Sequence, residues 1–365
     1  MNKRLVYIDV AKFIGIFLVI LAHCLERGNV RAYIYSFHLP LFFILNGITL
    51  RFKEDEKFGD YFVRKSKSYI IPMFFLGILI LLAEALIKQY KGQMLSENYF
   101  LDGILLLVKQ ERAFPIWFVG ALYIADLLFY VVWKVGKNKL PYMAILSTLF
   151  LALGIYLNIT YRKRLPWNFD VATFGVFFIF FGYMFSHELL TKIRTFILDK
   201  RYISLIIGIS LMAIGLAIAY INYDKYHLHL EMWAMQYEKY YLVIPAAIIC
   251  SFGIIFISNA IRNKVLGELG KTTFVLLAFH QTWSMPIFSL IFPEWYRFFC
   301  SLASEDMNRY YYSLVETLFC FATILPIYYI IINTPFCVCL NKKMPAWLKN
   351  KLEKLQIKFS NLIKK

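Results

Sequence analysis

Charged residues are scarce in this chain of 365 residues, at 17% of the total, and acidic residues are scarcer still, with 23 against 40 lysines and arginines. Hydrophobic residues make up 60% and aromatic residues 19%, which is more apolar surface than a soluble core needs. Apolar runs of about eighteen residues or more, long enough to cross a bilayer, recur along the whole sequence. The composition therefore excludes a soluble protein and predicts an all-α, polytopic membrane protein.

The sequence also lacks cysteine motifs, repeats and linkers that would indicate a metal site, a disulfide framework or several domains. Its six cysteines show no spacing typical of a zinc site, so we expect neither a metal site nor a disulfide framework. There is no repeat of fixed period and no linker rich in Gly, Pro or Ser. We expect one membrane domain over residues 1–335 and a tail over residues 336–365. The first apolar run carries Asp9 and Lys12, so we expect it to be a retained span rather than a cleaved signal.

Hydropathy predicts ten membrane spans, and the charges between them predict the orientation. If the N-terminus is cytoplasmic, the inner segments hold 26 lysines and arginines and the outer loops hold 13. Both termini are therefore predicted to be cytoplasmic, in a bacterial cytoplasmic membrane. The net charge of +17 is then explained by loop charge and contact with membrane lipids, without nucleic acid as a partner. The predicted spans are about 5–25, 36–52, 69–88, 116–135, 141–159, 169–186, 203–222, 241–259, 273–291 and 314–332.

The tail has a pattern of its own. Apolar residues recur at helical spacing with lysines between them, which is typical of a basic amphipathic helix on an anionic membrane surface. A helix that binds a partner protein is the alternative. The apolar positions are Leu348, Leu352, Leu355, Phe359 and Leu362.

The first span carries a stripe of polar residues. Residues eleven apart on a helix differ by about 20° in direction and about 16 Å in height, so Lys12 and His23 share one face. Asp9 lies one turn before Lys12 on nearly the same face. Ionisable residues inside a membrane usually mark a substrate or proton path. The alternative is that Asp9 and Lys12 only pair with each other while the histidine caps backbone groups.

The second span should bring another histidine to this stripe. A short outer hairpin at residues 26–35 is predicted to return the chain, with Ser36 as the cap of the second helix and Pro40 in its first turn. His38 falls at that start. We therefore expect His23 and His38 to border one cavity near the outer side.

These segments resemble a known family. The stretch "YIDVAKFIGIFLVILAH" followed by "SFHLPLFFILNG" resembles the opening of the acyltransferase-three family, especially its fucose 4-O-acetylase-like branch. Three later stretches, "FPIWFVGALYIADLLF", "LPWNFDVATFGVFFIFFGYMF" and "LGELGKTTFVLLAFHQ", resemble family segments over nearly the whole chain. Two positions depart from the family pattern: Lys12 stands where the family usually has Arg, and Asn46 where it usually has Ser.

The resemblance implies a membrane O-acyltransferase. It would move an acetyl or similar acyl group from cytoplasmic acetyl-CoA, as a donor substrate rather than a bound cofactor, to a hydroxyl of a glycan or lipid-linked sugar on the outer side. His23 would be the general base or would carry the acyl group itself. Lys12 would attract the donor or stabilise negative charge, Asp9 would orient Lys12, and His38 would orient His23 or bind the acceptor.

Further candidates come from the remaining polar residues of the spans and the first inner loop. Trp117 could stack on a sugar or belong to an interfacial aromatic belt. Asp126 could support the site or form a buried pair with a neighbouring helix. The predicted substrate-binding residues are Trp117, Asn46, Glu84 and His280, and the predicted donor phosphate contacts are Arg64, Lys65 and Lys67.

A transporter or flippase for a lipid-linked sugar or small polar substrate is the alternative function, with the polar stripe as its path. No inverted-repeat pattern and no pair of matched broken helices supports it. Acetyl-CoA discriminates between the two, since a flippase has no use for it.

Overall fold

The computed structural model describes residues 5–110, 112, 114–161, 164–187, 190–226, 231–233, 239–303, 306–350 and 353, and no β-strand lies among them. Two short π-helices, at Leu157–Tyr161 and His280–Ser284, interrupt the α-helical pattern. The α-helices are α1 (Val6–Leu25), α2 (Asn29–Tyr35), α3 (His38–Thr49), α4 (Phe58–Tyr90), α5 (Tyr99–Lys109), α6 (Trp117–Val135), α7 (Leu140–Tyr156), α8 (Phe169–Ser186), α9 (Thr191–Asp199), α10 (Arg201–Tyr226), α11 (Tyr240–Ile261), α12 (Lys264–Gly270), α13 (Thr273–Phe279), α14 (Met285–Ile291), α15 (Pro293–Ser301) and α16 (Met307–Ile332).

Within the part of the chain that the structure describes, ten helical segments are long and apolar enough to cross a membrane, which confirms the predicted all-α, ten-span architecture. The ninth span is interrupted by polar residues as expected, because a π-helical turn separates α13 from α14. The spans are Val6–Leu25, Asn29–Thr49, Phe58–Tyr90, Trp117–Val135, Leu140–Tyr161, Pro166–Ser186, Arg201–Asn222, Tyr240–Ile261, Thr273–Ile291 and Met307–Ile332.

The second span differs from the prediction at its start. Residues 26–35 are not only a connecting hairpin, since α2 occupies Asn29–Tyr35. The hydroxyl of Ser36 donates to the carbonyl of Ala32 at 3.0 Å, so it closes α2 and does not cap α3. A serine hydroxyl often bonds back to the carbonyl four residues earlier, and here that competes with capping. Pro40 lies in the first turn of α3 as predicted.

The first and last spans run antiparallel. The Ser313 hydroxyl on α16 donates to the Cys24 carbonyl near the end of α1, and the rings of Phe321 and Phe13 pack at 5.8 Å near the middle of both helices. The start of α1 and the end of α16 therefore lie on one side of the bundle. We call this the proximal side, and the side where α1 ends the distal side.

The centre of the bundle is formed by α1, α3, α6 and α8, while α7 and α10 lie at the periphery. In the most apolar part of the second span 78% of the residues are buried, against 22% in the fifth and seventh spans. Exposed leucines and isoleucines on the peripheral helices present an apolar surface suited to lipid tails. The polar residues described below therefore lie in the best-buried part of the protein.

The tail is described only at its beginning. A 3₁₀-helix spans Pro335–Leu340, and Leu348 is buried. Leu352, Leu355, Phe359 and Leu362 lie outside the described residues. The amphipathic tail helix and the boundary at residue 335 stay predictions.

Helices α3 and α8 approach so closely that only glycine fits at two positions. A Cβ atom on Gly182 would lie 2.0 Å from the carbonyl oxygen of Ile44, and one on Gly47 would lie 2.1 Å from that of Ile179. Small residues allow such backbone contact between membrane helices, where packing replaces the hydrophobic effect as the main attraction. This contact holds α3, and with it His38, against the centre of the bundle.

We predict that Gly182→Ala destabilises the protein by about 2–3 kcal/mol or more, because the added methyl group meets backbone that cannot move aside alone. Thermal unfolding of the detergent-purified protein, followed through exposure of its buried cysteines, measures the change. Gly59→Ala is the matched control, since nothing lies within 4 Å of that position. Equal melting temperatures for the two variants would show that the α3–α8 contact contributes little.

Candidate active site

Among the cavities formed by the described residues, two lie within the bundle, one toward each side, and they share part of their walls. The proximal cavity has a volume of about 410 Å³ and the distal cavity about 470 Å³. Four apolar side chains, which we call the collar, line both cavities. A single layer of side chains therefore separates them. The collar consists of Val19 from α1, Leu39 from α3, Phe118 from α6 and Leu277 from α13.

Three histidines line the distal cavity: His23 near the end of α1, His38 at the start of α3 and His280 just after α13. The prediction that His23 and His38 border one cavity is confirmed. Tyr35 lies between them, with its ring centroid 6.1 Å from that of His23 and 4.8 Å from that of His38. The ring of His280 is 5.1 Å from that of His23.

His23 is held by a residue distant in sequence. Its Nδ1 lies 2.9 Å from the side-chain amide nitrogen of Gln281, which also lines the distal cavity, so in this placement the amide donates to Nδ1. An amide can offer either an N–H or a carbonyl oxygen, and the two orientations select opposite tautomers of the imidazole. Gln281 therefore controls which nitrogen of His23 carries the proton.

The other two histidines are fixed by main-chain carbonyls. His38 Nδ1 lies 3.0 Å from the carbonyl oxygen of Ile34, and His280 Nδ1 lies 2.9 Å from that of Leu277. A carbonyl only accepts, so each neutral ring carries its proton on Nδ1 and keeps a lone pair on Nε2. Within the described chain, His280 Nε2 is buried without a hydrogen-bond partner. It is thus a preformed proton acceptor.

The π-helical turn explains how His280 and Gln281 reach the cavity. Pro286 has no N–H to donate to the preceding turn, which favours a break in the regular α-helix of this segment. The wider turn at His280–Ser284 places consecutive polar residues at the cavity wall. Such π-turns are frequent at functional sites.

The proximal cavity has a basic wall. Lys12 lines it and lies 3.8 Å from the Asp9 carboxylate, as the pairing hypothesis expected. Lys12 and His23 therefore share a face of α1 but border different cavities, on either side of the collar. The other polar lining residues include Asn46, Tyr69, Lys271, Tyr328, Asn341 and Lys342.

Asp126 is the centre of a buried polar cluster beside the proximal cavity. Its side chain is 0% exposed and accepts from Lys65 at 2.7 Å. Asn46 and Tyr69 donate to the same carboxylate, each at 3.1 Å, and Tyr61 donates to its other oxygen. Of the two interpretations of Asp126, the structure supports the buried pair with a neighbouring helix. Asn46 connects this cluster to the cavity.

The predicted donor phosphate contacts are placed differently from the expectation. Lys65 faces Asp126 inside the bundle, because α4 begins at Phe58, well before the predicted span. Arg64 forms a bidentate pair with Glu56 at 2.9 and 2.8 Å, and these hydrogen bonds hold the pKa of Glu56 below its ordinary value. Lys67 is exposed. None of the three cations lines the proximal cavity, where Lys12, Lys271 and Lys342 lie instead.

The structure brings Trp117 and His280 to the distal cavity but not Glu84. Glu84 lies 3.3 Å from Lys88, one turn along α4, and lines neither cavity. A glutamate four residues before a lysine forms a favourable pair on a helix surface, which explains its position without a role in binding.

Sequence reasoning missed several lining residues of both cavities. Gln281 had a usable signal, because it is a polar residue beside His280 in an apolar span. Lys271 and Lys342 had none, since lysines in loops are expected from topology alone. Arg31 from α2 and Arg112 from the segment before α6 also line the distal cavity and were not predicted. Within the described chain, no group of three His, Cys, Asp or Glu residues could hold a metal ion.

The fold and the cavities together define a polytopic membrane protein with a histidine-lined polar site at its centre. A comparison with protein families gives the class: the profile described as an acyltransferase domain, that of the acyltransferase-three family, matches residues 5–335. The match covers most of the 365 residues, so the chain belongs to this family and is a membrane acyltransferase. No curated protein and no solved structure matched it significantly.

We predict that Lys65→Met lowers the stability of the protein by about 3–5 kcal/mol, because it leaves Asp126 as a buried charge without its cation. Thermal unfolding in detergent measures this loss, and Lys65→Met/Asp126→Asn should recover much of it. The exposed Lys67→Met is the matched control and should unfold like the parent. If Lys65→Met keeps its stability and only binds acetyl-CoA less tightly, Lys65 is a donor contact after all.

Proposed function

We propose that the protein transfers an acetyl or similar acyl group from acyl-CoA in the proximal cavity to a hydroxyl of a glycan or lipid-linked sugar in the distal cavity. The observation that carries this proposal is the pair of cavities meeting at a thin collar, with a histidine cluster directly beyond it. The proximal side is the cytoplasmic side in this proposal, in agreement with the excess of lysine and arginine in the segments on that side.

The proximal cavity suits the donor. Lys12, Lys271 and Lys342 supply positive charge for the phosphates of coenzyme A, replacing the loop cations first predicted for this role. The charged head group stays at the cavity mouth, and the flexible thioester arm extends toward the collar. Lys12 is on the donor side of the collar, so it binds the donor and does not stabilise charge at the reacting carbonyl.

The distal cavity suits a sugar acceptor. Trp117 and Tyr35 offer aromatic surface, and the three histidines and Gln281 offer hydrogen-bonding groups. The resemblance of the opening segments to the fucose 4-O-acetylase-like branch favours a sugar hydroxyl as the acceptor. Stacking on Trp117 would orient the ring, while the hydroxyl to be acylated points to His23.

The chemistry follows from the imidazoles. If the Gln281 amide turns over from the placement described above, its carbonyl oxygen accepts a hydrogen bond from His23 Nδ1–H and leaves Nε2 free as a base. The acceptor oxygen attacks the thioester carbon while its proton passes to His23 Nε2. The tetrahedral intermediate then breaks the C–S bond, and His23 returns the proton to the departing thiolate.

The alternative route passes through an acyl-histidine. His23 Nε2 attacks the thioester carbon, the C–S bond breaks, and the acceptor hydroxyl then takes the acyl group from the imidazole. His280 and His38, each with a lone pair on Nε2, would accept the hydroxyl proton in the second step. Both routes require His23 beside the collar.

We predict that His23→Ala lowers acyl transfer by about 10²–10⁴, since it removes the base or the acyl carrier. Inside-out membrane vesicles from the expressing cells, supplied with radiolabelled acetyl-CoA, report both release of free CoA and labelling of glycan or lipid. Protein level and melting temperature serve as controls for folding. Near-parental transfer by the variant would exclude His23 from catalysis.

If parental vesicles neither bind nor consume acetyl-CoA, the transporter or flippase alternative gains support.

We predict that Val19→Phe lowers transfer about tenfold or more, because the larger ring closes the collar and displaces the thioester from His23. Acetyl-CoA binding to the purified protein, measured by calorimetry, should stay unchanged. Leu122→Phe is the matched control, since Leu122 lines only the proximal cavity. Transfer by Val19→Phe at the parental rate would show that the acyl group does not pass the collar.

A further inference from the structure

Part of the wall of the proximal cavity lies outside the family match. The acyltransferase profile ends at residue 335, and the residues after it were expected to form a separate tail. Three residues beyond that point, Leu340, Asn341 and Lys342, nevertheless line the proximal cavity. We call residues 335–342 the strap. The cavity is therefore completed by a segment that the family profile does not include.

The strap is a compact turn that follows α16. Its 3₁₀-helix over Pro335–Leu340 ends at Asn341, which has a φ of 55° and so lies in the left-handed region. Asparagine adopts this conformation more readily than most residues other than glycine. The main-chain N–H of Lys342 donates to the carbonyl of Cys337 at 3.0 Å, and Cys337 is 0% exposed. The turn therefore encloses a buried thiol and has Lys342 just after it.

The strap is attached to α4 at two places. The ring of Phe336 stacks on that of Phe75, with 5.6 Å between the centroids. The side-chain amide of Asn341 donates to the main-chain carbonyls of Lys67 and Ser68, each at 3.2 Å. Ser68 itself lines the proximal cavity. The strap thus joins the last span to α4 beside this cavity.

The attachment point on α4 is prepared by a proline. In a regular α-helix the carbonyl of residue 68 accepts a hydrogen bond from the N–H of residue 72. Residue 72 is a proline inside α4 and has no N–H. Main-chain carbonyls are rarely left without a donor, since an unsatisfied one costs free energy. The amide of Asn341 supplies Ser68 with the donor that Pro72 lacks.

The attachment determines the position of a cation. Lys342 directly follows Asn341, so the residue that is fixed to α4 also fixes the start of the Lys342 side chain. The ammonium group of Lys342 lies 5.9 Å from the ring centroid of Tyr328 on α16, and Tyr328 also lines the proximal cavity. Without the two hydrogen bonds of Asn341, the strap could move away from α4 and take Lys342 with it.

We propose that the strap is part of the donor site and that Asn341 is its positioning residue. Asn341 holds the strap against α4, and Lys342 then lies where it contacts a phosphate of the acyl-CoA donor. This assignment rests on the proposed function for the identity of the ligand, whereas the attachment of the strap does not depend on it. Loss of the attachment should weaken binding of the donor and leave the reaction at His23 unchanged.

The first test measures the attachment without any ligand. Asn341→Gly removes the amide but still permits a positive φ. The buried Cys337 should then react with N-ethylmaleimide at least threefold faster than in the parental protein, as measured by peptide mass spectrometry, with the exposed Cys300 as internal reference. Asn333→Ala is the matched control, because the Asn333 amide donates to the Tyr329 carbonyl within α16 and lines neither cavity. Parental reactivity of Cys337 in Asn341→Gly would overturn the attachment.

The second test measures the donor by calorimetry in lipid nanodiscs. Asn341→Gly and Lys342→Gln should each weaken acetyl-CoA binding about threefold to tenfold, the range expected for the loss of one or two polar contacts. Binding of S-acetylpantetheine, which has the thioester arm without the phosphates, should stay unchanged. In transfer assays KM for acetyl-CoA should rise by the same factor, with kcat unchanged.

The outcomes separate the strap from the proposed function. Acetyl-CoA binding that is equal in the parental protein and both variants would overturn the role of the strap and leave the proposed function intact. Weakened acetyl-CoA binding in both variants, together with parental transfer by His23→Ala, would support the strap and contradict the catalytic role of His23. Failure of the parental protein to bind acetyl-CoA would contradict both.

Discussion

The need to pair buried charges in the absence of water governs this structure. In the hydrocarbon region an unpaired charge or backbone group costs several kcal/mol, so each buried ion must bring its own partner. Lys65 and Asp126 tie α4 to α6, and Arg112 and Asp170 tie the segment before α6 to α8. These pairs fix α6, which carries Phe118 of the collar, and the hydrogen bond from Asn46 to Asp126 joins α3, which carries His38, to the same cluster. The cavities exist because the surrounding helices are held by polar contacts that cannot be exchanged for lipid.

The same rule explains how far the sequence could predict the protein. Hydropathy depends on local composition, so the ten spans and the shared face of Lys12 and His23 could be read from it directly. The cavity formed by His23 and His38 could also be predicted, because a short connection joins their helices. Contacts between distant segments could not: Gln281 meets His23 across 258 positions, and no periodicity specifies that pairing.

The predicted donor contacts show why charged residues near a span could not be assigned from the sequence. Cations of the first inner loop were expected to bind phosphates because charged side chains in a loop are normally exposed to solvent. Helix α4 begins eleven residues before the predicted span, so Lys65 lies inside the bundle and donates a hydrogen bond to Asp126. Glu84 was chosen as an intramembrane acid, yet its neighbour Lys88 satisfies it locally. In each case the position of the ionisable residue is explained by its nearest partner in space. A hydropathy profile contains no information about such partners.

The collar has a consequence for the membrane itself. Two water-accessible cavities that met without a barrier would form a pore, and ions would flow down the transmembrane potential, which is worth about 2.3 kcal/mol per charge at 100 mV. Val19, Leu39, Phe118 and Leu277, which line both cavities, form an apolar constriction between them that opposes the passage of hydrated ions. In the proposed transfer, an uncharged acyl group on a slender thioester arm would pass this constriction, whereas hydrated ions would be held back. Such a reaction would carry a chemical group across the membrane without dissipating the proton gradient that the membrane maintains.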